Sequence, residues 1–209
     1  MLLLDEPLGA LDKNLRERTQ FELMDIQMTL GTTFLVVTHD QEEAMTMADR
    51  IAVMDHGRIA QLDPPNVIYE APASRYVASF IGDVNLFEGK LAGREGDNWI
   101  VESAAAGGRL KVGASGETAA VGQDVAVAVR PEKMMLAREA PAEAVNRLAG
   151  EVWDIGYLGD WTTYVVRLPG GLDVKASRAN VSRYVARPVS WEEEVVLSFT
   201  PEAAVLLTK

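Results

Sequence analysis

The residues best suited to chemistry stand at the ends of two apolar runs. Asp5 and Glu6 follow Leu2-Leu3-Leu4, and Thr38-His39-Asp40 follows Phe34-Leu35-Val36-Val37. A short, unbroken apolar run bounded by turn residues suits a strand covered on both faces of a parallel sheet. In open α/β sheets the ligand crevice lies at the carboxyl ends of such strands. Two carboxylates on one strand tip and an imidazole on another are the groups that a phosphate-and-metal site needs. Neighbouring strand residues point to opposite sides, so Asp5 and Glu6 could serve different ligand atoms. Each group also has a plainer reading. Asp12 is of the residue type that caps helix N-termini. Thr38 and Gln41 have capping-box spacing, and Asp5-Glu6 could be a solvated strand end.

The elements that must hold these groups follow from periodicity. Leu15, Thr19, Leu23, Ile26 and Leu30 trace one face of a helix from Asp12 to Leu30, with Gly31 as its C-terminal stop. Thr32–Thr38 reads as a strand, Gln41–Ala48 as a short helix, and Arg50–Met54 and Arg58–Leu62 as a hairpin turned at His56-Gly57. That assignment makes His56 an exposed turn residue. Pro64-Pro65 punctuates the chain, and helical turns over Val67–Tyr69 and Arg75–Phe80 lead to Gly82-Asp83. We take this as the domain boundary, with an α/β part over residues 1–82 and an all-β part over 83–209. All four tryptophans (Trp99, Trp153, Trp161, Trp191) lie beyond it. Val125, Val127 and Val129 alternate with smaller residues. Strands at Gly150–Tyr157, Trp161–Leu168, Leu172–Ala176, Glu194–Phe199 and Ala204–Leu207 are separated by turn signals, the pattern of a small barrel or sandwich. Its core is the expected place for the tryptophans. No internal repeat is evident, and Ala104–Gly108 reads as a flexible loop.

Composition narrows the classes. With no cysteine, a disulfide scaffold, a thiol nucleophile and thiolate metal ligation are excluded. No apolar stretch approaches the ~20 residues of a membrane-spanning helix, and Met1 leads into a strand rather than a signal peptide, the expectation for a cytoplasmic chain. The net charge is −11, with 13 acids against 6 bases over residues 1–82 and 18 against 14 over 83–209. That balance argues against nucleic acid as a partner.

Leu-Leu-Leu-Asp-Glu-Pro, then Gly-Ala-Leu-Asp, then Val-Thr-His-Asp-Gln-Glu-Glu-Ala resembles the Walker B strand, D-loop and switch-histidine loop of ABC-transporter ATP-binding subunits, in that family's order. The Val129-Arg130-Pro131-Glu132-Lys133 segment and the Gly156–Gly159 turn resemble its OB-like accessory β-domain. The later segments are most similar to importers of polyamines such as putrescine and spermidine. The resemblance implies a partial P-loop NTPase sheet followed by an OB-like barrel. It implies ATP and Mg²⁺ as cofactors, with Asp5 holding the metal through ordered water. Glu6 is then the general base for the attacking water, and His39 contacts the γ-phosphate and keeps Glu6 in register. Gly9 and Asp12 are the D-loop residues reaching across a homodimer. The implied partners are transmembrane permease subunits and a periplasmic solute-binding protein, with the chain peripheral on the cytoplasmic face.

The chain also departs from that pattern. It has no Gly-x-x-x-x-Gly-Lys-Ser/Thr phosphate loop, since its Gly89-Lys90 pair is followed by Leu91. The glutamine loop and the Leu-Ser-Gly-Gly-Gln signature are missing as well. The resemblance is therefore to a C-terminal portion. The expectation for the 209 residues alone is neither useful ATP binding nor hydrolysis, with residues 1–82 self-associating or partly disordered. The competing reading is a non-enzymatic regulatory, small-ligand-binding or dimerisation module centred on the β part. Sugar or ferric-iron importers share most of these motifs, and an ABC-type ATPase outside transport shares Asp5, Glu6 and His39.

Overall fold

Leu2–Asp5 (β1) and Phe34–Val37 (β2) pair in parallel, in register from Leu2 opposite Phe34 to Asp5 opposite Val37. In the computed structural model, which describes residues 1–115, 118–183 and 189–209, they belong to the first of two units, Met1–Ala71 and Pro72–Lys209. The compositional boundary at Gly82-Asp83 thus falls inside the second unit.

Within the first unit a parallel pair requires a crossover, and Lys13–Leu30 (α1) supplies it. Asp12 caps α1 by accepting the Leu15 N–H at 3.1 Å, and Gly31 ends it in the left-handed conformation, φ 58°. The apolar face read from the sequence is not buried, since Leu15, Ile26 and Leu30 are all exposed and Gln20 is the buried residue of the helix. Leu2, Leu3, Leu35 and Val37 are exposed too, on both faces of a sheet type that ordinarily lies covered. Gln41–Met47 (α2) follows β2. Ile51–Asp55 (β3) and Arg58–Asp63 (β4) form the expected hairpin, with His56 and Gly57 at φ 44° and 75°. Pro65–Glu70 (α3) closes the unit, and Leu8, Val53 and Ile68 are its best buried apolar side chains.

The second unit begins with Arg75–Phe80 (α4), capped by Ser74, and continues as ten strands. These are Asn85–Glu95 (β5), Asn98–Ser103 (β6), Gly108–Gly113 (β7), Asp124–Val129 (β8) and Met135–Ala137 (β9). Then come Asn146–Tyr157 (β10), Trp161–Arg167 (β11), Asp173–Ala179 (β12), Glu194–Phe199 (β13) and Ala204–Leu207 (β14). They form two five-stranded sheets, ordered β14-β8-β5-β6-β7 and β12-β11-β10-β13-β9, around one shared core.

The two orders are the same once β10–β14 are matched to β5–β9, and the fifth strand is exchanged between the sheets. This corrects the expectation of no internal repeat. The details repeat with the topology. Asn85 and Asn146 are both buried, and each side-chain amide pairs with both backbone groups of a lysine in the other half. Asn85 does so with Lys175 (2.8 and 2.8 Å), and Asn146 with Lys111 (2.9 and 2.8 Å). Ladder register breaks at Ala92 in β5 and at its counterpart Trp153 in β10. After β8 and after β13 comes a 3₁₀ turn that opens on Pro-Glu, at Pro131–Lys133 and Pro201–Ala203. A β-carbon on Gly150 would stand 2.7 Å from the Arg167 carbonyl oxygen, and one on Gly89 would collide with the Glu102 carbonyl oxygen in the same way.

Two further expectations change. The core is built from aliphatic residues with Phe87, Phe199 and Tyr164, whereas Trp153, Trp161 and Trp191 are exposed and Trp99 packs only at its edge. Ala104–Gly108 closes as a hydrogen-bonded turn (Gly107 N–H to the Ala104 carbonyl, 3.1 Å) rather than an open loop. No helix among the described residues is long and apolar enough to cross a membrane. Because both glycines are packed against backbone that cannot yield cheaply, Gly89→Ala and Gly150→Ala should each destabilise the second unit by about 1–3 kcal/mol. Urea unfolding measures this, and an unchanged midpoint for either variant contradicts the close approach.

Candidate functional site

The carboxylate and imidazole tips meet. The Glu6 N–H donates to the Val37 carbonyl at 2.8 Å, adding one more bond beyond the β1–β2 ladder. Its backbone then turns into the left-handed region at φ 44° and the chain reverses, with Gly9 N–H donating to the Glu6 carbonyl at 3.2 Å. A non-glycine residue there stores strain of about 1–3 kcal/mol, so the surrounding bonds must over-determine it. The result is that Glu6 Oε1 lies 2.8 Å from His39 Nδ1. Glu6 therefore leaves the strict strand alternation assumed for Asp5 and Glu6, which it does by lying past the end of β1. Asp5 is the last residue of β1 and is exposed. Gly9 lies in the turn behind Glu6, and Asp12 serves as the α1 cap. No group of three or more potential metal ligands exists among the described residues.

The sequence reading singled out Thr38 and Asp40 beside His39 but gave Arg16 and Glu43 no role, and all four support the loop. Asp40, not Thr38, caps α2, accepting the Glu43 N–H at 3.1 Å. Its other oxygen pairs with Arg16 of α1 at 2.6 Å, and Arg16 also donates to the Leu11 carbonyl at 3.2 Å. Thr38 Oγ1 donates to buried Glu43 at 2.7 Å and accepts the Asp40 N–H at 3.0 Å. The residue preceding His39 and the residue following it are thus each held by two side-chain bonds. A sequence signal for this existed, since Asp40 and Glu43 have N-cap-to-N3 spacing. Glu43 Oε1 and Arg16 Nε are buried without a hydrogen-bond partner.

The Glu6 hydrogen bond and its negative charge raise the His39 pKa above the ordinary 6.5, with smaller contributions from Asp40 and Glu43. The folded value is the higher one. The contact therefore contributes to stability below about pH 6.5 and loses that contribution as pH rises through the folded-state value. In an NMR titration the His39 ring should show a midpoint above 6.5, and Glu6→Gln should bring it down. A midpoint indifferent to Glu6→Gln contradicts the pairing.

Residues 127–207 match the model of the TOBE domain. The chain is 47% identical over 208 residues to the putrescine transport ATP-binding protein PotG of Escherichia coli K12, covering 100% of this chain and 55% of that protein. It is 48% identical over 181 residues to the spermidine/putrescine import ATP-binding protein PotA of Rubrobacter xylanophilus, covering 86% of this chain and 47% of that one. The chain thus spans about half the length of the curated relatives it matches. Among solved structures, the cytoplasmic molybdate-binding protein ModG aligns with a TM-score of 0.52 at 18% identity, over 60% of this chain and 96% of its own, a likeness of fold alone. Along its whole length the chain is homologous to ATP-binding proteins of putrescine and spermidine/putrescine transport, and its residues 127–207 belong to the TOBE domain family.

Proposed function

We propose that this chain provides the hydrolytic edge and the accessory β-domain of an ATP-driven importer subunit, with polyamines as the transported solutes. The observation that carries the reading is the 2.8 Å contact between Glu6 and His39 at adjacent tips of a parallel strand pair. With Glu6 ionised, His39 Nδ1 carries the proton of that bond, so Nε2 is free to face a phosphate oxygen. A raised pKa favours the imidazolium, whose Nε2–H then donates to that oxygen. The second Glu6 oxygen can take a proton from a water aligned for in-line attack, the usual task of a general base.

The donor set fits the implied cofactor in part. Asp5 is a hard oxygen ligand at an exposed tip, suited to Mg²⁺ that keeps most of its water. The backbone N–H cradle and lysine that bind phosphates are not among these 209 residues, and in this reading other polypeptide supplies them. When bound, MgATP supplies the phosphoryl group, and the residues here orient water and hold charge. Gly9 and Asp12 lie on the segment that in this reading faces a second copy. Permease subunits and a solute-binding protein are the partners to expect, with the complex at the inner face of the membrane.

In a polypeptide that joins these residues to a phosphate loop, Glu6→Gln should cut steady-state ATP turnover by about 10²-fold or more while nucleotide binding persists. Undiminished turnover removes Glu6 from the role of base. The 209-residue polypeptide alone should give no calorimetric signal for MgATP at micromolar concentration, and saturable binding there overturns the assignment of the phosphate cradle to other polypeptide.

A further inference from the structure

Glu6 and His39 meet where solvent could easily part them. Their side chains are 53% and 76% exposed, and an ion pair that open contributes little to holding two loops together. The strand ladder fixes the near end of the segment 6–12 through the Glu6 N–H on the Val37 carbonyl. Beyond that bond the segment folds on itself in two consecutive turns. The Gly9 N–H donates to the Glu6 carbonyl at 3.2 Å and the Leu11 N–H to the Leu8 carbonyl at 3.1 Å, with Leu8 buried between them. Neither turn bonds to the loop 38–40, so the placement of that loop against the segment needs a further tie.

One side chain supplies it. Arg16, in the first turn of α1, sends Nη1 to the Asp40 carboxylate at 2.6 Å and Nη2 to the Leu11 carbonyl at 3.2 Å. Two nitrogens of one planar guanidinium thus hold two loops at a fixed separation, a geometry that the point charge of a lysine does not impose. The Arg16–Asp40 pair is also the more sheltered one, at 32% and 26% exposure. Together with the Glu6–His39 contact it closes a ring of bonds that runs from Glu6 through both turns to Leu11, then through Arg16 and Asp40 to His39. The ring includes the left-handed backbone of Glu6, and Arg16 Nε is buried in it without a hydrogen-bond partner. A buried polar atom left unpaired costs stability, and α1 already has its cap in Asp12. Local costs of this kind collect where a site rather than the fold sets the geometry.

We propose that Arg16 is a positioning residue for the Glu6–His39 pair, its guanidinium setting the separation of segment 6–12 and loop 38–40 so that Glu6 Oε1 meets His39 Nδ1. It acts through Asp40 and Leu11 rather than on the reacting atoms. The geometric part stands on the bonds above, and the catalytic consequence rests on the reading of Glu6 and His39 as the hydrolytic pair. Because the Leu11 carbonyl belongs to the segment that in that reading faces a second copy, a shift of the segment reaches His39 through Arg16 and Asp40. The two tasks of Asp40 are separable, since Oδ1 caps α2 and Oδ2 takes Arg16. Asparagine caps as well as aspartate but carries no charge.

The test reads the His39 tautomer by imidazole ¹⁵N NMR in the full 209-residue chain, above the titration midpoints of its two histidines, with exposed His56 as the internal reference. The Glu6 contact should hold the neutral His39 ring with its proton on Nδ1. Arg16→Lys keeps the charge but not the fork, and Asp40→Asn keeps the cap but not the charge. Each should raise the share of the Nε2-protonated form at least threefold, and the double variant should do no more than either single one. Arg18→Lys, which alters the exposed α1 pair with Glu22, should leave His39 unmoved. In a polypeptide that joins these residues to a phosphate loop, Arg16→Lys should lower kcat at least tenfold with KM for ATP unchanged within twofold. The proposal is overturned if His39 stays Nδ1-protonated in Arg16→Lys and Asp40→Asn, if the unsubstituted chain already mixes tautomers, or if Arg18→Lys acts as strongly as Arg16→Lys. It is overturned as well if Arg16→Lys keeps full kcat while Glu6→Gln loses it. If Glu6→Gln also keeps full kcat, the hydrolytic reading has failed instead, and the NMR result alone decides whether Arg16 positions the pair.

Discussion

The hydrogen bond from the Glu6 N–H to the Val37 carbonyl is the constraint on which the candidate site depends. It extends the parallel β1–β2 ladder by one step and forces the next turn of the chain through a left-handed residue. A carboxylate in regular strand conformation would point across the sheet, as alternation requires. One placed just past the strand end points along it, toward the neighbouring tip. The Glu6–His39 contact is therefore a product of backbone geometry rather than of two flexible side chains finding one another in solvent. The imidazole is fixed from the other direction, because Asp40 caps α2 and pairs with Arg16 while Thr38 binds buried Glu43. The strain at Glu6 persists because both strands and both helices agree on where it must lie.

A second constraint governs the β unit. Asn85 and Asn146 act as side-chain substitutes for a missing strand neighbour, each pairing with both backbone groups of a lysine in the opposite half. Burial makes these bonds obligatory, because an unpaired buried amide costs more than a typical hydrogen bond contributes. They sit in equivalent positions because the unit is built twice, and the exchange of β9 and β14 ties the two copies into one core. Duplication then supplies an internal control. Positions that keep their chemistry in both copies, such as Gly89 and Gly150, serve the architecture. Other positions change their chemistry between the copies, as Lys90 to Glu151 and Ala92 to Trp153 do.

Much of this was legible in the residues. The apolar runs ending at Asp5 and Val37 identified the strands and the tips where ionisable groups gather, and His56-Gly57 specified its hairpin. The Asn-x-x-x-Gly spacing at Asn85 and Asn146, with Pro-Glu closing each half, was present but too sparse to register as a repeat. The intervening strands share a burial pattern rather than identities. The tryptophans misled because size and apolarity suggest a core. Trp153 stands at a bulge, where the side chain leaves the alternation that periodicity assumes. The α1 stripe was read as the buried face of an amphipathic helix, but periodicity names a face without saying what covers it, and here Leu15, Ile26 and Leu30 are exposed while Gln20 is the buried residue.

The sequence by itself determined the element types, the caps at Asp12 and Gly31, and the chemistry available at the strand tips, because these depend on residue identity and near-neighbour spacing. Only the tertiary structure decided which tips touch, that Glu6 turns left-handed to reach His39, and that two halves exchange strands around one core. Those outcomes rest on pairings between residues distant in the chain, whose register is fixed by backbone hydrogen bonds and burial and leaves little trace in local pattern.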